Sequence, residues 1–220
     1  MKHIVIDFEF TTIPKKYKVQ RKLCHYEIVE IGAVKLNENY EVVDEFSSFV
    51  KPTYSFVSIV AGNLTGITNK DIENAPSFEE AVQRFLNWID DEFEIYTWSE
   101  NDRIQFESEC VLKSSNEQFH ILLSKQWQDI QLTYIELVGL SSAISLQRAL
   151  NSLNILYEGN LHRATDDALN TASILQVINS KEEFQKRFVP LQNMLSPKKE
   201  KPTLGDLLGD KLQIIYDLTA

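Results

Sequence analysis

Three features of this 220-residue chain predict an α/β fold. Strand-like segments fill the first 50 positions, a capped amphipathic helix follows, and short strands then alternate with helices. The first strand is HIVIDFEF, with Ile4, Ile6, Phe8 and Phe10 on one face and Val5, Asp7 and Glu9 on the other. EIVEIGAVKL and EVVDEFSSFV, joined by the polar turn NENY, read as a hairpin beside it. In SFEEAVQRFLNWIDD, Ser77 and Glu80 have capping-box spacing, and Phe78, Ala81, Val82, Phe85, Leu86 and Ile89 make a helical stripe. EIYTW reads as a short strand, followed by a helix over 102–113, a strand around WQDIQ, and helices near 131–139 and 145–154. ATDDALNTASILQVI closes the series, with Thr165 as the expected N-cap and Ala168, Leu169, Ala172, Leu175 and Ile178 on one face. One unit is expected over residues 1–190. Residues 191–220 would form a linker, SPKKEKPT, and an amphipathic helix carrying Leu204, Leu207, Leu208, Leu212 and Ile215. That helix either packs back on its own domain or meets a protein partner or a second copy.

Composition narrows the class. Two cysteines, Cys24 and Cys110, form no CxxC pair or disulfide framework, which predicts a reducing, cytoplasmic setting. No stretch reaches the ~20 apolar residues of a membrane span. The net charge of −10 argues against simple adhesion to nucleic acid through a basic surface. It does not exclude a site that collects carboxylates for metal ions. Against that acidity, PKKYKVQRK places Lys15, Lys16, Lys18, Arg21 and Lys22 just after the first strand, either as a solvated loop or as a phosphate-contacting patch.

Asp7 and Glu9 stand roughly 7 Å apart on one strand face, where two anions disfavour each other unless water or a cation screens them. A solvated outer face explains the pair equally well at this point. Two further segments carry chemistry: YTWSENDRIQF, with Asp102 at a strand end or helix start, and GNLHRATDDALNTA, with His162 five residues before Asp167. Each has an ordinary explanation, such as acids in a helix's first turn or a loop histidine. Together, Asp7, Glu9, Asp102 and Asp167 offer four hard oxygen ligands suited to Mg²⁺ or Mn²⁺.

The ordered set DFEFT, an aspartate after a short strand, and HRATDDA resembles the DnaQ-like, or DEDDh, 3′-to-5′ exonucleases. YEIVEIGAVKLN, FVKPTYSFVSIVAGNLTGIT and SLQRALNSLNILYEGNLHR look like the Eri-type exoribonuclease and KapD-like branch, over residues 1 to about 180. The resemblance implies an RNase H-like fold with a mixed central β-sheet flanked by helices. It departs from the branch at Ser99, where a glycine commonly follows the tryptophan, and this leaves Glu100 as a competitor of Asp102.

What the resemblance implies is metal-dependent hydrolysis of nucleic acid from the 3′ end, RNA or short single strands favoured, to nucleoside 5′-monophosphates. Two Mg²⁺ or Mn²⁺ ions would be held by Asp7, Glu9, Asp102 and Asp167. His162 would accept the proton of the attacking water as general base. Phe10, Thr11, Leu64 and Thr65 would hold the terminal nucleotide, with packing as the plainer role of each. The alternative is a non-catalytic nucleic-acid-binding or regulatory module of the same fold, which the presence of all five site residues disfavours.

Overall fold

β1 (Lys2–Thr12) is the central strand of a five-stranded mixed sheet in the computed structural model, which describes residues 2–89, 92–113 and 119–195. β2 (Tyr26–Leu36) pairs antiparallel with β1, and β3 (Val42–Phe49) pairs antiparallel with β2. On the other side β4 (Phe93–Thr97) and then β5 (Trp127–Asp129) run parallel to β1. The expected hairpin is present. Its turn is held by the Asn37 side chain, which accepts from the backbone N–H groups of Asn39 and Glu41, while Tyr40 takes the left-handed conformation (φ 61°).

Helices cover both faces of the sheet. On one, Ile4, Ile6 and Phe8 pack with Phe78, Val82 and Phe85 of α4 (Phe78–Trp88) and Phe106 of α5 (Asn101–Lys113). On the other, Val5 and Val34 pack with α7 (Ile130–Val138), α8 (Leu146–Ser152) and Ala168, Ala172 and Leu175 of α9 (Ala164–Asn179). Each fully buried aliphatic or aromatic side chain contributes about 1.5–3 kcal/mol, so the two layers fix the sheet firmly between them. The Ser77–Glu80 capping box forms as the sequence predicts.

Five short or late helices carry no clear sequence signal: α1 (Gln20–Leu23), α2 (Ile59–Thr65), α3 (Asn69–Ile72), α6 (His120–Ser124) and α10 (Lys181–Leu195). The last runs across residue 190, and the expected linker and amphipathic helix of residues 196–220 lie outside the described residues. The N-cap of α9 is Arg163, not Thr165. The cap function is taken over from a distance: buried Glu30 of β2 accepts from the Ala164 backbone N–H (3.1 Å), while the Thr165 hydroxyl donates to the Phe46 carbonyl (3.4 Å). Among the described residues no helix is long and apolar enough to cross a membrane.

Candidate active site

The face of β1 that carries Val5, Asp7 and Glu9 lies under α9 and is not a solvated outer surface; Glu9 is only 7% exposed. In the β1–β2 ladder Asp7 stands opposite Gly32 and Glu9 opposite Glu30, with a register shift immediately after Glu9. Gly32 explains how α9 reaches this face. A Cβ there would sit 2.1 Å from the backbone of Ala164 and Thr165, so the helix start rests directly on the glycine. That seat also brings in the third motif, because Asp167 lies in the first turn of α9 and His162 two residues before the helix begins.

Glu9, His162 and Asp167 each offer a ligand atom within 4.8 Å of the other two. Asp7 faces the same group, its charge repelled by Asp102, Asp167 and Glu9. Asp102, in the first turn of α5, is buried beside β1: it accepts from the Phe8 backbone N–H (3.2 Å) and the Thr97 hydroxyl (2.8 Å). A carboxylate has about four acceptor sites, so these two bonds orient Asp102 without exhausting it. The residues from three separated segments are therefore together. Glu100 is exposed, with its backbone N–H on Asp129 (3.0 Å), and it lines a separate hollow with Arg103 and Glu107.

Sequence reasoning overlooked the supporting residues. The Tyr157 hydroxyl donates to Asp167 (2.8 Å), and Asn170 ties the Tyr157–Asn160 loop to α9 by accepting from the Glu158 N–H and donating to its carbonyl. Arg163 grips Glu30 with both Nε and an NH₂ group, the shortest contact being 2.6 Å. An acid embedded in the apolar run EIVEIG was the available signal for Glu30. His162 has φ 61°, in the left-handed region that histidine enters more readily than most residues.

The four residues expected to hold the terminal nucleotide fall into two groups. Leu64 is exposed (53%) on α2. Phe10 points to the opposite sheet face, its ring 6.5 Å from that of Phe8. The Thr11 hydroxyl donates to the Phe56 carbonyl (2.9 Å) and accepts from Ser58 N–H (3.0 Å), and that of Thr65 donates to Ala61 (2.9 Å) and accepts from Ile67 (3.0 Å). Both hydroxyls thus brace the chain around α2.

Burial, then mutual repulsion, pushes the acid pKa values up: Asp7 well above the usual range, and Glu9 to about 8. Asp102 rises to about 7, mainly by burial, although Thr97 and the Phe8 amide oppose the shift. Burial also raises Asp167, against the Tyr157 hydroxyl and His162. Neighbouring Arg163 offsets little of this because its guanidinium is engaged by Glu30. Such a cluster of hard oxygen donors short of countercharge fits divalent cations of the magnesium type. The folded protein holds protons that the unfolded chain releases above about pH 4.5, so metal-free stability should fall as pH rises from there to about 8. Urea melts at pH 5.5, 7 and 8.5 with chelator measure this, and added Mn²⁺ should restore most at the highest pH.

Residues 4–175 match the RNase_T (Exonuclease) family. The chain belongs to that exonuclease family. It is a hydrolase of nucleic acid, on the DnaQ-like side that includes KapD-type proteins. This exonuclease is 27% identical over 206 residues to the probable 3′-5′ exonuclease KapD of Bacillus subtilis (strain 168), covering 92% of this chain and 91% of KapD. To the 3′-5′ exoribonuclease 1 of Mus musculus it is 28% identical over 160 residues, 68% of this chain but 46% of the mouse protein. The fold is that of the nuclease domain of 3′hExo, a DEDDh family member bound to rAMP (TM-score 0.63, 23% identity, 80% and 90% of the two chains). A similar likeness holds for E. coli Exonuclease I in complex with a dT13 oligonucleotide (TM-score 0.61, 11% identity, 84% and 42%).

Proposed function

We propose that the exonuclease domain, residues 1–190, removes nucleotides one at a time from the 3′ end of RNA or short single strands in a metal-dependent, cytoplasmic reaction. The observation that carries this reading is the convergence of Glu9, His162 and Asp167 within 4.8 Å, beside Asp7 and Asp102. The preference for RNA is supported by the mouse exoribonuclease and by a related 3′-exonuclease whose structure concerns 3′-end specific recognition of a histone mRNA stem-loop.

Asp7, Glu9, Asp102 and Asp167 would hold two Mg²⁺ or Mn²⁺ ions. Bound there, the ions would activate water and stabilise negative charge on the scissile phosphate and the leaving 3′ oxygen. The chain's own groups account for the remaining steps. His162 is exposed at the mouth of the site, where its imidazole takes the proton of the attacking water. Tyr157 and His162's own backbone N–H fix the Asp167 carboxylate, and the Thr97 and Phe8 donors fix Asp102, so neither acid must reorganise during the reaction. Exposed Leu64 supplies an apolar contact for the terminal sugar or base. Phe10, Thr11 and Thr65 serve that subsite by supporting its walls.

Incubation of a 5′-labelled single-stranded RNA with the protein and Mn²⁺ should give a ladder shortening from the 3′ end and release nucleoside 5′-monophosphates. The same assay with DNA and with structured RNA ends ranks the substrates. A strand left intact with Mg²⁺ and Mn²⁺ would defeat the proposal. His162→Ala should lower kcat about 10²–10⁴-fold, the usual contribution of general-base catalysis, while Mn²⁺ affinity by calorimetry changes little.

A further inference from the structure

We propose that the single strand upstream of the terminal nucleotide lies across the end of β1, its phosphates on the Lys15–Lys22 segment and its bases on an apolar shelf formed by Phe56, Ile59 and Val60. This rests on the proposed exonuclease reading and extends it to the next few nucleotides.

The lysine segment leaves β1 at Thr12, about 10 Å along the strand from Glu9. It is a braced structure. Ile13 N–H donates to the His25 carbonyl (3.0 Å), Tyr17 N–H to Pro14 (3.0 Å), and the Arg21 guanidinium to the Ile13 carbonyl. The Tyr17 ring meets the edge of Tyr54 (centroids 5.4 Å apart), which joins the segment to the stretch that leads into the shelf. Arg21 is thus spent on the fold, whereas Lys15, Lys16, Lys18 and Lys22 are exposed, and Lys16 lies over the Tyr17 ring (5.0 Å). Among the described residues none of these four lysines has an ion-pair partner. In a chain of net charge −10, an acid-free run of unpaired cations at the mouth of an acidic site points to a polyanion.

The other side of the same strand end is apolar. Phe56 is 78% exposed, Ile59 83% and Val60 78%. Val60 and Leu64 are four residues apart and share a face of α2, so the shelf continues into the contact assigned to the terminal nucleotide. Its position is fixed by Thr11, whose hydroxyl bonds both Phe56 and Ser58. Cations on one flank and exposed apolar side chains on the other suit a strand whose bases are unstacked. A duplex, with its bases paired inside, has no use for the shelf.

The test uses the full chain and two substrates. A dinucleotide reaches only the cleavage site, whereas a single-stranded dodecamer also reaches the lysines and the shelf. Hydrolysis with Mn²⁺ is followed from 50 to 200 mM KCl. The triple variant Lys15→Gln, Lys16→Gln, Lys18→Gln should flatten the log KM against log salt slope for the dodecamer by about 2, at roughly 0.7 for each phosphate no longer neutralised. Phe56→Ala should raise the dodecamer KM roughly tenfold, the usual effect of removing one aromatic stacking platform. Both variants should leave dinucleotide turnover unchanged. An unaltered dodecamer slope, or equal impairment on both substrates, would overturn the inference. If the parent protein cleaves neither substrate, the catalytic reading fails while the surface is still tested by fluorescence anisotropy of labelled dodecamer with Ca²⁺. Tighter capture of a polyglutamate peptide than of the dodecamer in that assay would count against it.

Discussion

Asp7→Asn should abolish hydrolysis and, in chelator, make the protein more stable. The two effects have one cause. Asp7 is packed against other acids with its carboxyl raised well above its ordinary pKa by burial and by Asp102, Asp167 and Glu9, so its ionisation at neutral pH opposes folding. An amide of the same shape removes that charge and, on the proposed scheme, a metal ligand with it. Turnover should drop at least ~10³-fold, while Tm in EDTA rises by about 2–4 °C for each kcal/mol of repulsion relieved in a protein of this size. Thermal melts with and without Mn²⁺ check the pair: the parent should gain strongly from the ion and Asp7→Asn hardly at all. A variant that melts lower than the parent in EDTA would show that Asp7 stabilises the fold, against the electrostatic account.

Gly32→Ala should be almost as damaging, although Gly32 touches no substrate in the proposed scheme. The new methyl would meet backbone atoms of Ala164 and Thr165 at 2.1 Å, and backbone in a packed helix cannot swing aside as a side chain does. The start of α9 would have to lift, carrying Asp167 and His162 away from Glu9. Overpacking of this kind costs about 1–3 kcal/mol, and a 1 Å misplacement of reacting groups about 10²-fold in rate. We expect kcat to fall at least ~10²-fold with far-UV circular dichroism preserved and the urea midpoint lowered. Normal turnover in this variant would mean that the α9 seat does not position the site.

Much of the architecture is legible in the sequence because its signals are local. The capping box at Ser77 and Glu80 forms, and the alternation in HIVIDFEF assigns Asp7 and Glu9 to one face correctly. Other features depend on partners far along the chain. Thr165 looks like an N-cap from its neighbours, yet the helix starts earlier because Glu30, 134 positions away, accepts from Ala164. The seven residues of α2 are too few for a helical period to emerge, and its N-terminus is set by Ser58, whose hydroxyl accepts from Ala61. The motifs pointed to Asp102 and His162 but gave no sign of Tyr157, Thr97 or Asn170, because a residue that orients a neighbour has no spacing rule of its own. Phe10 shows the reverse: the alternation that joins Asp7 to Glu9 also sends its ring to the far face of the sheet.

The order in which the site's parts occur along the chain has a bearing on synthesis. β1 supplies its two acids within the first dozen residues, but the third motif belongs to α9, which ends at Asn179. A polypeptide still emerging from the ribosome therefore holds half a blade: its early strands can pair long before the last acid and the histidine exist to meet them. On the proposed scheme the site is complete only once nearly all of the domain has been translated, because the last acid and the histidine arrive with α9.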